Sequence, residues 1–267
     1  MSMPFETRDG VSFEVANHIA RVTIDRPQVL NAVDGPAFGR LNEIWDRIEA
    51  DSDVRVVVVT GAGDRAFSVG ADMTPSAVGK TGLEYWADMD PNGFGGLSLR
   101  NTLDVPVIAR VNGYALGGGM EIVLGADIVV AAEHARLGLT EPNVGRLALD
   151  GGIALLVRKI PHNVAMGMLL TGRKASAQEL HSHGLVNEVV PYAELDEAVE
   201  RWVQQILRCA PTSVRAVKQM VTRTEHLSAR DARALLVPAL TDALMSEEQE
   251  EGVLAFQERR EPVWSGR

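Results

Sequence analysis

Residues 111–127 read VNGYALGGGMEIVLGAD. Gly117, Gly118 and Gly119 stand in a row between two apolar segments. Glycine loses more backbone freedom on ordering than any other residue, so a run of three needs a reason. Before it, VPVIARV (residues 105–111) has the apolar, β-branched character of a buried strand. After it, MEIVLGAD predicts a short helix ending at Gly125, with Glu121 about one turn inside. The glycines therefore mark a strand-to-helix turn with a carboxylate just beyond it.

Working outward, VRVVVVTG (54–61) and DIVVAAE (127–133) are continuous apolar strands of the kind covered on both faces. Residues 11–25, VSFEVANHIARVTID, predict two strands around an Asn17-His18 turn. Residues 33–51 place Val33, Ala37, Leu41, Ile44, Trp45 and Ile48 at helical spacing. Strands alternating with helices predict an α/β fold with largely parallel pairing. From Gly151 onward most of the chain reads as helix. A soft boundary near residue 190 divides a 1–190 core from a 191–267 helical region. The stripe Leu195, Val199, Trp202, Val203 and Ile206 in that region must pack on the core or on another subunit.

The 267 residues are 46% hydrophobic and 23% charged, an ordinary balance for a globular enzyme-sized chain. A net charge of −10 argues against nucleic acid or an anionic membrane as the main partner. The single cysteine, Cys209, forms no internal disulfide, which points to a reducing cytoplasm. The start MSMPFETRDG lacks the basic and apolar regions of a secretion signal. No uninterrupted apolar run approaches the roughly 20 residues of a membrane helix.

The stretch VVVVTGAGDRAFSVGAD (56–72) offers two readings that fail on their own terms. Gly61, Gly63 and Ala66 match a dinucleotide-binding fingerprint, and Glu84 falls near its acidic position. That motif needs a long helix, however, and Gly70, Pro75 and Gly79 break the segment where the helix belongs. Ala66 to Gly70 approximates a nucleophile elbow around Ser68, again without the helix that should follow. A serine hydrolase stays a minor alternative. The third reading explains both turns. Residues 70–72 and 116–119 present backbone N–H groups free of bulky side chains, and two such donors aimed at one point make an oxyanion hole. A helix starting at Gly118 adds its positive dipole end. The alternative is that these glycines merely allow close packing, and for Gly119 that alone can account for the residue.

AFSVGADM (66–73) and VNGYALGGGMEIVLGADIVVA resemble the two signature stretches of the crotonase (enoyl-CoA hydratase/isomerase) superfamily. The resemblance runs from VTIDRPQVLNAV through LTGRKASAQELHSHGLVNEVVP to the terminal AFQERREPVWSGR, nearly the whole chain. It implies a crotonase-like spiral of ββα units with a helical C-terminal region, assembled as trimers or dimers of trimers. It also implies acyl-CoA thioester substrates of the fatty-acid β-oxidation type, and no cofactor, metal or nicotinamide beyond the substrate's coenzyme A.

Carried over motif by motif, the resemblance places the oxyanion hole at Ala71 and Gly118. Substrate contacts fall at Ala71, Asp72, Met73, Thr74 and Gly118. The hydratase glutamates become Glu121 and, in LGLTEPNVG, Glu141. Adding water across C2=C3 needs a base for the water and an acid for C2, which a carboxyl pair supplies. Pro142 disfavours α-helix at Glu141 and predicts extended or turning backbone there. Isomerases of the family keep one carboxylate near Glu141, so Glu121 favours hydration. The loop GRLALDGG (145–152) departs from the family's Pro-Gly-rich turn. Asp150 there reads as the N-cap of the following helix. The altered loop opens the acyl preference, including a crotonobetainyl-CoA hydratase. Tyr85, Trp86, Met89 and Phe94 line the acyl tail or are ordinary packing. Arg26 and the C-terminal Lys and Arg residues are candidates for the CoA phosphates.

Overall fold

A computed structural model describes residues 3–73 and 82–266 of the chain. The strands are β1 (Met3–Arg8), β2 (Val11–Ala16), β3 (Ile19–Ile24), β4 (Val56–Gly61), β5 (Ala66–Ser68), β6 (Val107–Val111), β7 (Tyr114–Leu116), β8 (Ile128–Ala132), β9 (Arg136–Gly138), β10 (Ala175–Ser176) and β11 (Glu188–Val190). The helices are α1 (Gly35–Ala50), α2 (Gly82–Ala87), α3 (Gly118–Gly125), α4 (Gly152–Lys159), α5 (His162–Thr171) and α6 (Ala177–Ser182). They continue with α7 (Leu195–Leu207), α8 (Pro211–Thr224), α9 (Ala229–Ala234), α10 (Pro238–Met245) and α11 (Glu248–Glu258).

A seven-stranded sheet has the order β1-β2-β3-β4-β6-β8-β11, and a four-stranded sheet the order β10-β9-β7-β5. β1 to β3 form an antiparallel meander, and β3, β4, β6, β8 and β11 pair in parallel. Successive strands alternate between the sheets: β4 then β5, β6 then β7, β8 then β9. That repeated step winds the chain into the expected α/β spiral of ββα units. The N-terminal strand β1 was not anticipated, because MPFETR is too polar to stand out as a core strand. It pairs at the sheet edge, where polar residues are tolerated.

Local rules explain the main elements. Asn17 and His18 both take left-handed φ (52° and 68°), as a tight two-residue hairpin turn requires. The valines of β4 are all buried, because helices cover both faces of the parallel sheet. Asp34 caps α1 by accepting from Ala37 N at 3.0 Å, and Ala37, Leu41, Ile44, Trp45 and Ile48 form its buried stripe. On the opposite sheet face, Leu195, Val199 and Val203 of α7 pack on Val56, Val58, Ile108 and Val130. Trp202 and Ile206 are partly buried against the same cluster, so this stripe packs on its own core. α8 and α10 meet around Ala216, Ala239 and Ala243. Among the described residues no helix is long and apolar enough to cross a membrane.

Candidate active site

Two buried asparagines shape the first wall of the site. Asn31 donates to Ala62 O and Ala66 O, and Asn112 donates to Gly61 O, Gly63 O and Ala66 O. They tie the loop after β4 to the sheet, so no helix opens at Gly61 and Gly63 and the dinucleotide reading fails. Ser68 is fully buried, donates to Asn31 O and accepts from Gly70 N. It does not line the cavity, and no histidine does. The serine-nucleophile reading loses both its exposed hydroxyl and its base.

Beyond Ser68, Val33 N donates to Gly70 O and Asp72 N donates to Val33 O. This parallel bridge turns the Ala71 N–H away from Val33. Facing it is the N-terminus of α3. Gly117 reaches φ 56° and ψ −129°, a conformation open to glycine and strained for a side chain. A Cβ on Gly70, whose φ is 90°, would lie 2.7 Å from Gly118 N. The two glycine turns therefore abut. Neither the Ala71 N–H nor the Gly118 N–H has an acceptor among the described residues. Gly119 meets Ser68 O, and for that glycine close packing suffices.

A cavity of about 880 Å³ opens in front of these donors. Ala71, Met73, Gly118, Glu121 and Glu141 all line it, so the structure brings together five of the seven candidate residues. Asp72 is turned elsewhere: Arg26 bonds it at 3.3 Å and Asp34 at 2.7 Å. The Arg26 guanidinium is thereby occupied by carboxylates rather than free for CoA phosphates. Arg260, a C-terminal candidate for the same task, is likewise paired with Glu251 and Glu258. Thr74 lies outside the described residues. Tyr85, Trp86 and Phe94 line the cavity, and Met89 does not.

Glu121 projects from the first turn of α3 and is 2% exposed. Its Oε1 accepts from Gly152 N at 2.9 Å. This corrects the reading of Asp150 as a helix cap. The N-cap position of α4 is Gly151, at φ 112°, without a side-chain cap, and Glu121 of α3 takes the buried N–H of Gly152 in its place. Asp150, 5% exposed, instead accepts from the Tyr85 hydroxyl. Glu141 begins a short 3₁₀ turn that includes Pro142, consistent with turning backbone. Its Oε2 is buried without any hydrogen-bond partner among the described residues.

Three carboxyls thus share one cavity. Burial pushes Glu121 up to about 8, the charges of Asp150 and Glu141 add to that, and the Gly152 N–H opposes it. Burial raises Glu141 most, a backbone hydrogen bond opposes it, and the Asp150 charge adds a smaller rise. Asp150 is also raised by burial, against the Tyr85 hydrogen bond. At neutral pH the Glu121–Glu141 pair therefore retains a proton, the arrangement that lets one carboxyl donate while its neighbour accepts.

The sequence profile of the enoyl-CoA hydratase/isomerase family matches residues 14–267. The chain is 38% identical over 253 residues to carnitinyl-CoA dehydratase of Shigella flexneri, covering 93% of this chain and 95% of that protein. It is 39% identical over 261 residues to (E)-benzylidenesuccinyl-CoA hydratase of Thauera aromatica, covering 96% and 99%. Among solved structures, enoyl-CoA hydratase from Mycobacterium tuberculosis H37Rv superposes with a TM-score of 0.88 at 32% identity. That match covers 97% of this chain and all of the other.

Proposed function

The chain belongs to the enoyl-CoA hydratase/isomerase family, and on that footing we propose that its cavity adds water reversibly to the C2=C3 bond of a 2-enoyl-CoA thioester. The observation that carries this reading is the buried Glu141 Oε2, which has no partner among the described residues, in the same cavity as Glu121 and two N–H groups that no described residue accepts from. A buried carboxylate oxygen without a partner costs stability and persists where a ligand supplies the partner.

The thioester carbonyl oxygen accepts from the Ala71 and Gly118 N–H groups, which stabilise the enolate oxyanion as charge moves onto it. The dipole of α3, starting at Gly118, acts in the same direction. Glu121, with Oε1 fixed by the Gly152 N–H, holds and orients the water. Glu141 is the main acid/base. As the water oxygen bonds to C3, the ionised carboxyl of the pair takes its proton. The proton already held by the pair passes to C2, so the pair ends as it began. Dehydration is the same path reversed, and it needs no cofactor beyond the substrate's coenzyme A.

Retention of both glutamates favours hydration over isomerisation, which moves a proton between carbons and needs no water held at C3. The site is proposed to act within a homo-oligomer. The test is loss of the conjugated enoyl absorbance of crotonyl-CoA and of longer, branched and charged enoyl thioesters. Glu141→Gln and Glu121→Gln are each expected to lower kcat by about 10²–10⁴. Wild type inert on the whole series, or a Glu141→Gln enzyme of undiminished rate, refutes the proposal.

A further inference from the structure

The hydration step leaves one buried carboxyl of the cavity without a task. Asp150 is fastened on two sides: its carboxylate accepts from the Tyr85 hydroxyl of α2, and its main-chain carbonyl accepts from the Ser98 hydroxyl. Two residues further on, Gly152 N donates to Glu121 Oε1 at 2.9 Å, and a Cβ on Gly152 would lie 3.0 Å from that oxygen. The segment 150–152 therefore carries one acid and holds another, so the two stay neighbours in one cavity.

Glu121 sits where a carboxyl ordinarily ionises. It lies in the first turn of α3 and accepts from the first N–H of α4, so the positive ends of two helices favour its charged form. Hydration needs the opposite for one member of the pair. With no proton on Glu121 or Glu141 there is a base for the water and no acid for C2. Burial opposes the ionisation of Glu121 most, and the Asp150 charge adds more to that opposition than Glu141 does.

Asp150 exerts this repulsion only while it is itself ionised. Burial pushes its carboxyl up, the Tyr85 hydroxyl pulls it down, and Asp90 adds a weaker push. Burial, with the hydrogen bond and charge of Asp150, keeps the Tyr85 phenol neutral and therefore a donor. Asp90 is engaged by the Asn42 amide and by Asn92 N. Arg146, the one cation among the described lining residues, is exposed and pairs with none of the three carboxyls.

We infer that Asp150, held by Tyr85, is a positioning residue for a proton: its carboxylate keeps one proton on the Glu121–Glu141 pair. The use of that proton, delivery to C2, rests on the hydratase reading above. Tyr85 acts one step further back, by keeping Asp150 charged.

The first readout is kcat/KM for crotonyl-CoA against pH, which reports groups of the free enzyme. Wild type is expected to lose rate as pH rises through about 8. Asp150→Asn keeps an acceptor for the Tyr85 hydroxyl and removes the charge, and is expected to move this fall about one pH unit lower. Tyr85→Phe lets Asp150 take up a proton more readily, and is expected to move the fall the same way by less. A lower rate at every pH, with the fall unmoved in both variants, would make the two residues structural and overturn the inference. The second readout needs no turnover: the infrared carbonyl stretch of protonated Glu121, identified by its loss in Glu121→Gln. That band is expected to persist to about pH 8 in wild type and to vanish about one unit lower in Asp150→Asn. A band indifferent to Asp150→Asn overturns the inference as well. The two readings fail separately. A band that shifts in a protein inert on every enoyl thioester refutes hydration alone, and an active enzyme whose profile and band stay in place refutes the role of Asp150 alone.

Discussion

Glu121 has two duties at the residue scale, and they pull its protonation in opposite directions. The Gly152 N–H favours the charged carboxylate, while burial with Asp150 and Glu141 favours the neutral acid and prevails. The folded protein therefore holds this proton up to a pH of about 8, whereas an unfolded chain releases it near 4.5. Because the folded state binds the extra proton, the contribution is fully present below about 4.5 and is lost as pH rises toward 8. The slope attributable to Glu121 is at most about 1.4 kcal/mol per pH unit. Glu121→Gln keeps an acceptor for Gly152 N and carries no charge, so it is expected to gain on wild type as pH rises across that window. Urea unfolding of both proteins at several pH values checks this. Parallel pH profiles would mean that Glu121 is ionised throughout.

Among the elements, α1 supports the site from behind. Trp45 is buried on that helix, and its indole N–H donates to Gly95 O at 2.7 Å. That bond fastens the 3₁₀ turn carrying Phe94, whose ring lies 2.5 Å from where a Cβ on Gly118 would stand. Trp45→Phe removes the bond and part of the packed volume, and is expected to cost about 1–3 kcal/mol in urea unfolding. A cost near zero would show that the turn holds without α1. The apolar strands β4, β6 and β8 and the stripe of α1 were legible in the sequence, because burial on both faces or on one helical face writes a period into it. β5, β7 and β9 were not, since three residues are too few to display alternation. Glu121 stood out beside its glycine run, whereas Glu141 was singled out only through the resemblance of LGLTEPNVG to the family. The Tyr85–Asp150 bond joins residues 65 apart and leaves no local pattern. The α4 cap was misread for the same reason: a capping rule looks at neighbours, and the actual acceptor sits 31 residues upstream.

On the scale of the whole molecule, the C-terminal helices leave apolar side chains without cover. Val217 and Val221 on α8, Leu244 and Met245 on α10, and Phe256 on α11 are all exposed, Phe256 at 85%. Monomeric proteins rarely expose so much apolar surface without a partner that covers it. These helices are nonetheless anchored to one another: Glu248 of α11 accepts from the Thr212 backbone and hydroxyl on α8, and Gln219 of α8 accepts from Ala239 N on α10. A firmly tied element with an uncovered apolar side is suited to receive a second copy of the chain, as the proposed homo-oligomer requires. Light scattering is expected to give a mass that is a multiple of the 28.8 kDa chain. Phe256→Glu adds a charge at the most exposed of these positions and is expected to move the distribution toward the monomer at micromolar concentration. That side chain is 85% exposed, so the far-ultraviolet circular dichroism should stay unchanged. A wild-type protein that remains monomeric at high concentration would require these helices to serve some partner other than the chain itself.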